Sequence, residues 1–133
     1  MEIKQIQKIS VKNNSTILDC LKKINETGYG SLLVVKNKLK LIGIITDGDI
    51  RRALLKKISL SSNIKNIYNS SPLKITKNLS FQKIKSIMKK ENISLIPKVN
   101  SVNNVTDVFT IRDFSIKDNS LSTPVIIMAG GKG

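Results

Sequence analysis

The sequence predicts an α/β (α+β) fold: two β-α-β-β-α units packed face to face with pseudo-twofold symmetry. Three observations carry this. The stretch Gly43 to Arg52, GIITDGDIRR, is a hydrophobic strand that ends in a hydroxyl and turns directly into a helix. Sliding the chain against itself by 64 positions places Thr110 on Thr46 and Asp113 on Asp49, so Thr-x-x-Asp recurs. With no gap, the same shift sets Ile75 on Val11, Ile84 on Cys20, Met88 on Ile24 and Val99 on Val35, apolar on apolar.

Taken in order, Met1 to Ile9 is a lead-in with Ile3, Ile6 and Ile9 on one side. Ser10 to Lys12 is a short extended piece. Asn13 to Thr16 supplies turn and cap residues, and Ile17, Cys20, Leu21 and Ile24 then recur at helical spacing until Gly28-Tyr29-Gly30 ends the helix. Ser31 to Val35 is a buried strand, Lys36 to Lys40 a turn, Leu41 to Thr46 the next strand, and Asp49 to Leu55 a helix. Residues 1–58 form the first unit. The Ser- and Asn-rich residues 59–72 are a connector with one turn of helix at Ile64, Ile67 and Tyr68. Residues 73–118 repeat the pattern: strand Leu73 to Thr76, helix Ser80 to Glu91, strands Ser94 to Val99 and Val105 to Thr110, helix Ile111 to Lys117. Pro97 fits an edge or a bulge rather than a fully paired strand. Residues 119–133 are a linker and a new strand.

The Thr-x-x-Asp turn has a chemistry. Free backbone N–H groups and the positive end of the helix dipole beside Thr46 suit a phosphate, and Asp49 is placed to accept hydrogen bonds from two ribose hydroxyls. The alternative is that Asp47 or Asp49 simply caps the helix. At the second copy Asp107 stands where the first has Gly43, an added carboxylate, so the first motif is preferred as the site.

Composition narrows the classes further. There is no histidine and a single cysteine, Cys20, so an intrachain disulfide and the usual zinc and triad constellations are excluded. Cys20 falls on an apolar helix face, which points to burial. The net charge of +14 invites a nucleic-acid reading, but lysines are spread along the chain, aromatics are only 4%, and no binding signature appears. The charge instead favours attraction of anionic small molecules. No apolar run is long enough for a bilayer, and the N-terminus lacks a continuous signal core, so a cytoplasmic protein is expected.

A tandem of such units, each closing on Gly- or Asp-hydrophobic-hydrophobic-Thr-x-x-Asp, resembles a pair of CBS domains, the Bateman module, over about residues 6 to 118. The resemblance implies a flat module, often a homodimer, that binds adenosine nucleotides such as AMP or ATP in its inter-domain clefts. On it, Asp49 and Asp113 hold ribose hydroxyls, and Thr46 and Thr110 stand near phosphates. Arg51, Arg52 and Arg112 are charge partners; Val11, Lys12, Ile75 and Thr76 line the base, with Tyr29 and Gly30 approaching from the next strand. A ligand-free scaffold for dimerisation is the alternative within this family.

The final residues change the larger expectation. Pro124 to Met128 is a strand without counterpart in the repeat, and it runs into Ala129, Gly130, Gly131, Lys132 and Gly133. A strand entering a glycine-rich turn lets backbone N–H groups close on phosphates. AGGKG resembles the start of the AGGxGTR signature of sugar-phosphate nucleotidyltransferases. The resemblance implies that the chain breaks off just inside a Rossmann-like catalytic domain using Mg²⁺ and an NTP, the fragment itself being inactive. TDGDIRRALL followed by PVIIMAGGKG resembles bacterial guanylyltransferases that make GDP-activated amino sugars, for legionaminic acid and flagellin glycosylation. A similar TDGDLRR occurs in CBS pairs attached to sugar-phosphate isomerases.

Overall fold

The computed structural model describes residues 1–113. Helix α1 (Ile3–Lys8) leads into strand β1 (Ser10–Lys12), helix α2 (Ile17–Thr27), strands β2 (Ser31–Lys36) and β3 (Lys40–Thr46), and helix α3 (Asp47–Leu55). After the connector come helix α4 (Phe81–Glu91) and strands β4 (Leu95–Val99) and β5 (Val105–Thr110), with residues 111–113 already helical. The rest of the helix expected over Ile111 to Lys117, the strand expected at residues 124–128 and the loop 129–133 lie outside the described residues.

Local chemistry explains the boundaries. Thr16 caps α2: its Oγ1 accepts from Asp19 N while its own N–H donates to the Asp19 carboxylate, satisfying two N–H groups at once. Gly28, at φ 75°, closes the same helix in the left-handed region. Sixty-four positions on, Ser80 caps α4 and Asn92, at φ 54°, closes it. Helix α3 begins at Asp47, two residues earlier than the sequence suggested, because Thr46 is itself the N-cap.

Strand β1 runs parallel to β2 and β2 antiparallel to β3, giving a three-stranded sheet; β4 and β5 form an antiparallel pair. The expected strand Leu73 to Thr76 is reduced to one parallel bridge. Ile75 N–H donates to Pro97 O at 2.8 Å and Ile75 O accepts from Val99 N at 2.9 Å. Pro97 offers no N–H, so fuller pairing on that side is not possible. A bulge at Lys98/Val99 repeats the bulge at Val34/Val35. The core gathers Ile17, Leu32, Leu33, Ile45, Ile50 and Ile64, each fully or almost fully buried, and each such side chain contributes about 2 kcal/mol. Ile64 comes from the connector, whose single helical turn (Ile67 N–H to Ile64 O, 2.9 Å) plugs it in.

The two units meet at their hairpin tips. Leu41 N–H donates to Asn103 O and Val105 N–H to Leu39 O, both at 2.9 Å, around a bridge between Lys40 and Asn104. The 64-residue shift sends Leu39 to Asn103, Lys40 to Asn104 and Leu41 to Val105, so the two hydrogen bonds exchange and the bridge maps onto itself. The pseudo-twofold axis therefore passes through this bridge. Leu39 and Asn103 even share the same strained backbone, φ 64° and 65°.

Candidate functional site

Both Thr-x-x-Asp copies form reciprocal caps. Thr46 Oγ1 accepts from Asp49 N at 3.1 Å, and Thr46 N donates to Asp49 Oδ2 at 2.9 Å. Thr110 and Asp113 repeat this at 3.4 and 2.9 Å. The capping alternative is thus real, with Thr rather than Asp at the cap position. Capping engages one carboxylate oxygen and leaves the other as the chemically informative atom. In the first copy Asp49 Oδ1 takes a 2.7 Å ion pair from Arg52 Nη2, and Arg51 pairs with Asp47 at 3.1 Å. In the second copy the position matching Arg52 is Ile116, so the sequence supplies no guanidinium there.

A cleft of about 1300 Å³ opens at the second copy. Asp113 and Phe109 line it from one unit, Tyr29 and Lys23 from the other, and Lys4 and Lys8 from α1. Each is fixed. Lys23 Nζ donates to Ser10 O (2.7 Å) and Gln7 O (3.3 Å), tying α1 to α2. Ser94 Oγ donates to Tyr29 O at 2.7 Å, and the Arg112 guanidinium lies 4.3 Å from the Tyr29 ring centroid while donating to Thr27 O at 3.1 Å. Phe109 meets Phe81 edge-on at 6.0 Å. Asp107, expected to repel a ligand, accepts from the Met1 amine at 2.7 Å. The arrangement offers a carboxylate for a diol, aromatic faces for a flat ring and ammonium groups for phosphate.

At the first copy the connector approaches closely. Tyr68 and Asn69 of the connector lie on Gly43, and Asn69 and Ile44 exchange hydrogen bonds of 2.9 and 3.0 Å. A Cβ on residue 43 would stand 2.5 Å from Asn69 O. The glycine of the motif therefore serves the connector's approach. Thr46 and Asp49, preferred from the sequence, line none of the three clefts described among these residues.

The other sequence candidates scatter. Val11 and Lys12 line a different cleft of about 1130 Å³. Ile75 is buried in its bridge to β4, and Thr76 lies just beyond it, lining none of the three clefts. Gly30, at φ 76°, supplies the carbonyl that accepts from Asp47 N, the counterpart of Ser94 O and Ile111 N, both at 2.9 Å. Thr110 is wholly buried. Sequence reasoning passed over Lys4, Lys8 and Lys23. The first two, spaced i,i+4 on the lead-in, were a usable signal of a cationic helix face. The NTP-loop residues 129–133 lie outside the described residues. Among the described residues no group of three acidic, His or Cys side chains suits a metal, and no helix is long and apolar enough to cross a membrane.

Comparison with known proteins places this geometry. Residues 3–56 match the CBS domain family, and the described chain has the fold of a CBS domain pair, the Bateman module. The CBS domain pair of protein MJ0100, solved with 5'-methylthioadenosine and S-adenosyl-L-methionine, superimposes with a TM-score of 0.71 at 26% identity, covering 84% of this chain and 88% of that one. The CBS domain protein PAE2072 from Pyrobaculum aerophilum, complexed with AMP, shares the fold at a TM-score of 0.67 and 21% identity over 79% and 81% of the two chains. In sequence, an uncharacterized protein of Helicobacter pylori strain J99 is 33% identical over 97 residues, 71% of this chain. A probable arabinose 5-phosphate isomerase of Haemophilus influenzae is 40% identical over 89 residues, 65% of this chain. The matched stretch is only 29% of the Helicobacter protein and 26% of the Haemophilus protein.

Proposed function

We propose that this chain is the nucleotide-sensing module of a sugar-1-phosphate nucleotidyltransferase. An adenosine nucleotide, AMP or ATP, occupies the cleft at Asp113. The observation that carries the sensing role is the convergence of Asp113 from one unit and Tyr29 from the other on one cleft edged by Lys4 and Lys8. Asp113 accepts from the ribose hydroxyls, the aromatic wall receives the base, and the lysines neutralise phosphate. A ligand held by both units changes their relative stability, and it regulates an attached domain to the extent that it favours one arrangement over another. The adenosine ligands of the similar CBS structures support this reading.

The catalytic part rests on the AGGKG sequence. In this reading the parent enzyme converts an amino-sugar 1-phosphate and an NTP, GTP, to NDP-sugar and pyrophosphate. Mg²⁺ and the NTP belong to that domain, and the CBS pair dimerises it. Calorimetric titration of this chain with AMP, ATP, S-adenosyl-L-methionine and GDP-sugar tests the sensing role. Saturable binding of an adenosine nucleotide, lost in Asp113→Ala, is expected; no binding at millimolar ligand leaves the ligand-free scaffold. Pyrophosphate release by the full-length parent tests the catalytic role. The Haemophilus relative favours one second reading, a module regulating a sugar-phosphate isomerase, which would show ketose–aldose interconversion instead.

A further inference from the structure

We propose that the second cleft, of about 1130 Å³, is a separate binding site for a small phosphorylated metabolite. It lies on the other side of α1 from the cleft at Asp113 and against the hairpin tips, lined by Val11, Val35, Leu39 and Val105 below and by Lys12, Lys22 and Lys38 at the rim. Three observations on the molecule support it.

The first is amphipathic shape. Val11, Val35, Leu39 and Val105 all contribute to this wall, which gives an organic body apolar contact that inorganic phosphate would not use. The second is charge. Lys23, the fourth lysine on the wall, is committed to Ser10 O and Gln7 O, which leaves the other three ammonium groups for a ligand. The one carboxylate in the lining, Asp19, accepts from the Thr16 N–H at 3.1 Å in its cap, and against three lysines it leaves the wall with a net positive charge. Asn37, Asn100 and Asn104 add amides for a polar ligand edge. The third is the comparison within the repeat. The corresponding hollow beside Leu41, Ile42, Lys74 and Asn103 measures about 280 Å³, because Ser70 to Pro72 enter it and Lys74 Nζ donates across it to Asn103 Oδ1 at 2.8 Å. On the open side the matching residues are Ser10 and Leu39, too short or too apolar to make that strut.

Gln7 and Lys23 line both large clefts, so α1 is a common wall between the two sites. The proposal does not depend on the adenosine reading, and the test separates them. Phenyl phosphate and inorganic phosphate are titrated into the ¹⁵N-labelled chain. Saturable shifts are expected at the amides of Val11, Lys12, Leu39, Val105 and Thr106 and not at Tyr29 or Asp113. Phenyl phosphate should bind about tenfold tighter than inorganic phosphate through the apolar floor. Lys12→Gln and Lys38→Gln should each weaken it about threefold with the remaining spectrum unchanged, whereas Lys65→Gln should not. Shifts centred on Tyr29 and Asp113, equal loss in Lys65→Gln, unsaturable shifts at every lysine-bearing surface, or tighter binding of a short oligonucleotide at the same amides would each overturn it.

Discussion

The Arg112 guanidinium stands 4.3 Å from the centre of the Tyr29 ring and donates to Thr27 O, so a residue of the second unit closes the C-terminus of α2 in the first. It touches the ring that the proposed ligand would use, and it leaves no room for a side chain on Gly28, whose Cβ would lie 2.5 Å from Arg112 Nη2. Replacing Arg112 by Ala should lower the stability of the pair by about 1–2 kcal/mol through the lost cation–π contact and hydrogen bond, read as the urea midpoint. An unchanged midpoint would mean the two units are held by their hairpin tips alone.

Asp49 and Asp113 share a motif, and among the described residues only Asp49 carries an arginine on its second oxygen. Asp113→Asn is expected to weaken AMP about tenfold or more, since a charged acceptor to a ribose is lost. Asp49→Asn should leave AMP binding nearly unchanged and cost about 1 kcal/mol of stability through the cap and the exposed Arg52 pair. Calorimetry and thermal unfolding of the two variants side by side distinguish the roles; equal AMP loss in both would restore the first motif as a site.

Gly43→Ala places a methyl against Tyr68 and Asn69 O. Overpacking of this kind costs about 1–3 kcal/mol, and here it should also loosen the connector, exposing Tyr68. A lower melting temperature with increased proteolysis between residues 59 and 72 is the expected outcome. Full stability would show that the connector can step aside.

Asn103 combines a left-handed backbone with an Nδ2 that donates to Leu41 O at 2.7 Å. Asn103→Gly keeps the backbone and loses this bond together with the exposed one from Lys74, at about 1 kcal/mol; Asn103→Ala loses the backbone preference as well, at about 2 kcal/mol. Chemical denaturation of the two variants reads the difference directly, and identical values would remove backbone strain from the account.

Burial, followed by the charge of Asp19, pushes the Cys20 thiol up to about 11 from an ordinary 9.0. A thiol with a raised folded value keeps its proton in the native state, so its contribution is intact below pH 9 and is lost as pH rises through 11. The difference in stability between the wild type and Cys20→Ala should shrink across that window. Modification of Cys20 at pH 8 should be slow in buffer and fast in denaturant; equal rates would contradict its burial.

The repeat made most of this architecture legible. Gly28 as a helix end, Thr16 and Ser80 as caps, and the order of elements all follow from local chemistry that a single sequence displays. The site was less legible because its formation depends on which oxygen of an aspartate is free. Nothing in Thr-x-x-Asp distinguishes Asp49, paired with Arg52, from Asp113, and nothing near Gly43 announces that Tyr68, far along the chain, will settle on it. The turn Lys36 to Lys40 was readable as a turn, but its pairing with Asn103 to Val105 was not, since that contact joins two copies of one motif and leaves no periodicity in either.

The Lys40–Asn104 bridge has a consequence for how such a pair arises. A contact that its own symmetry returns to itself is isologous: one surface meeting a second copy of the same surface. Two separate single units would satisfy it equally well as a noncovalent dimer. Joining them through residues 59–72 turns that encounter into an intramolecular one, at an effective concentration set by the linker, so the association no longer depends on how much protein is present. Once tethered, the halves are free to diverge, and they have: in one half the linker lies against Gly43, while in the other Asp107 stands at that position beside the cleft at Asp113.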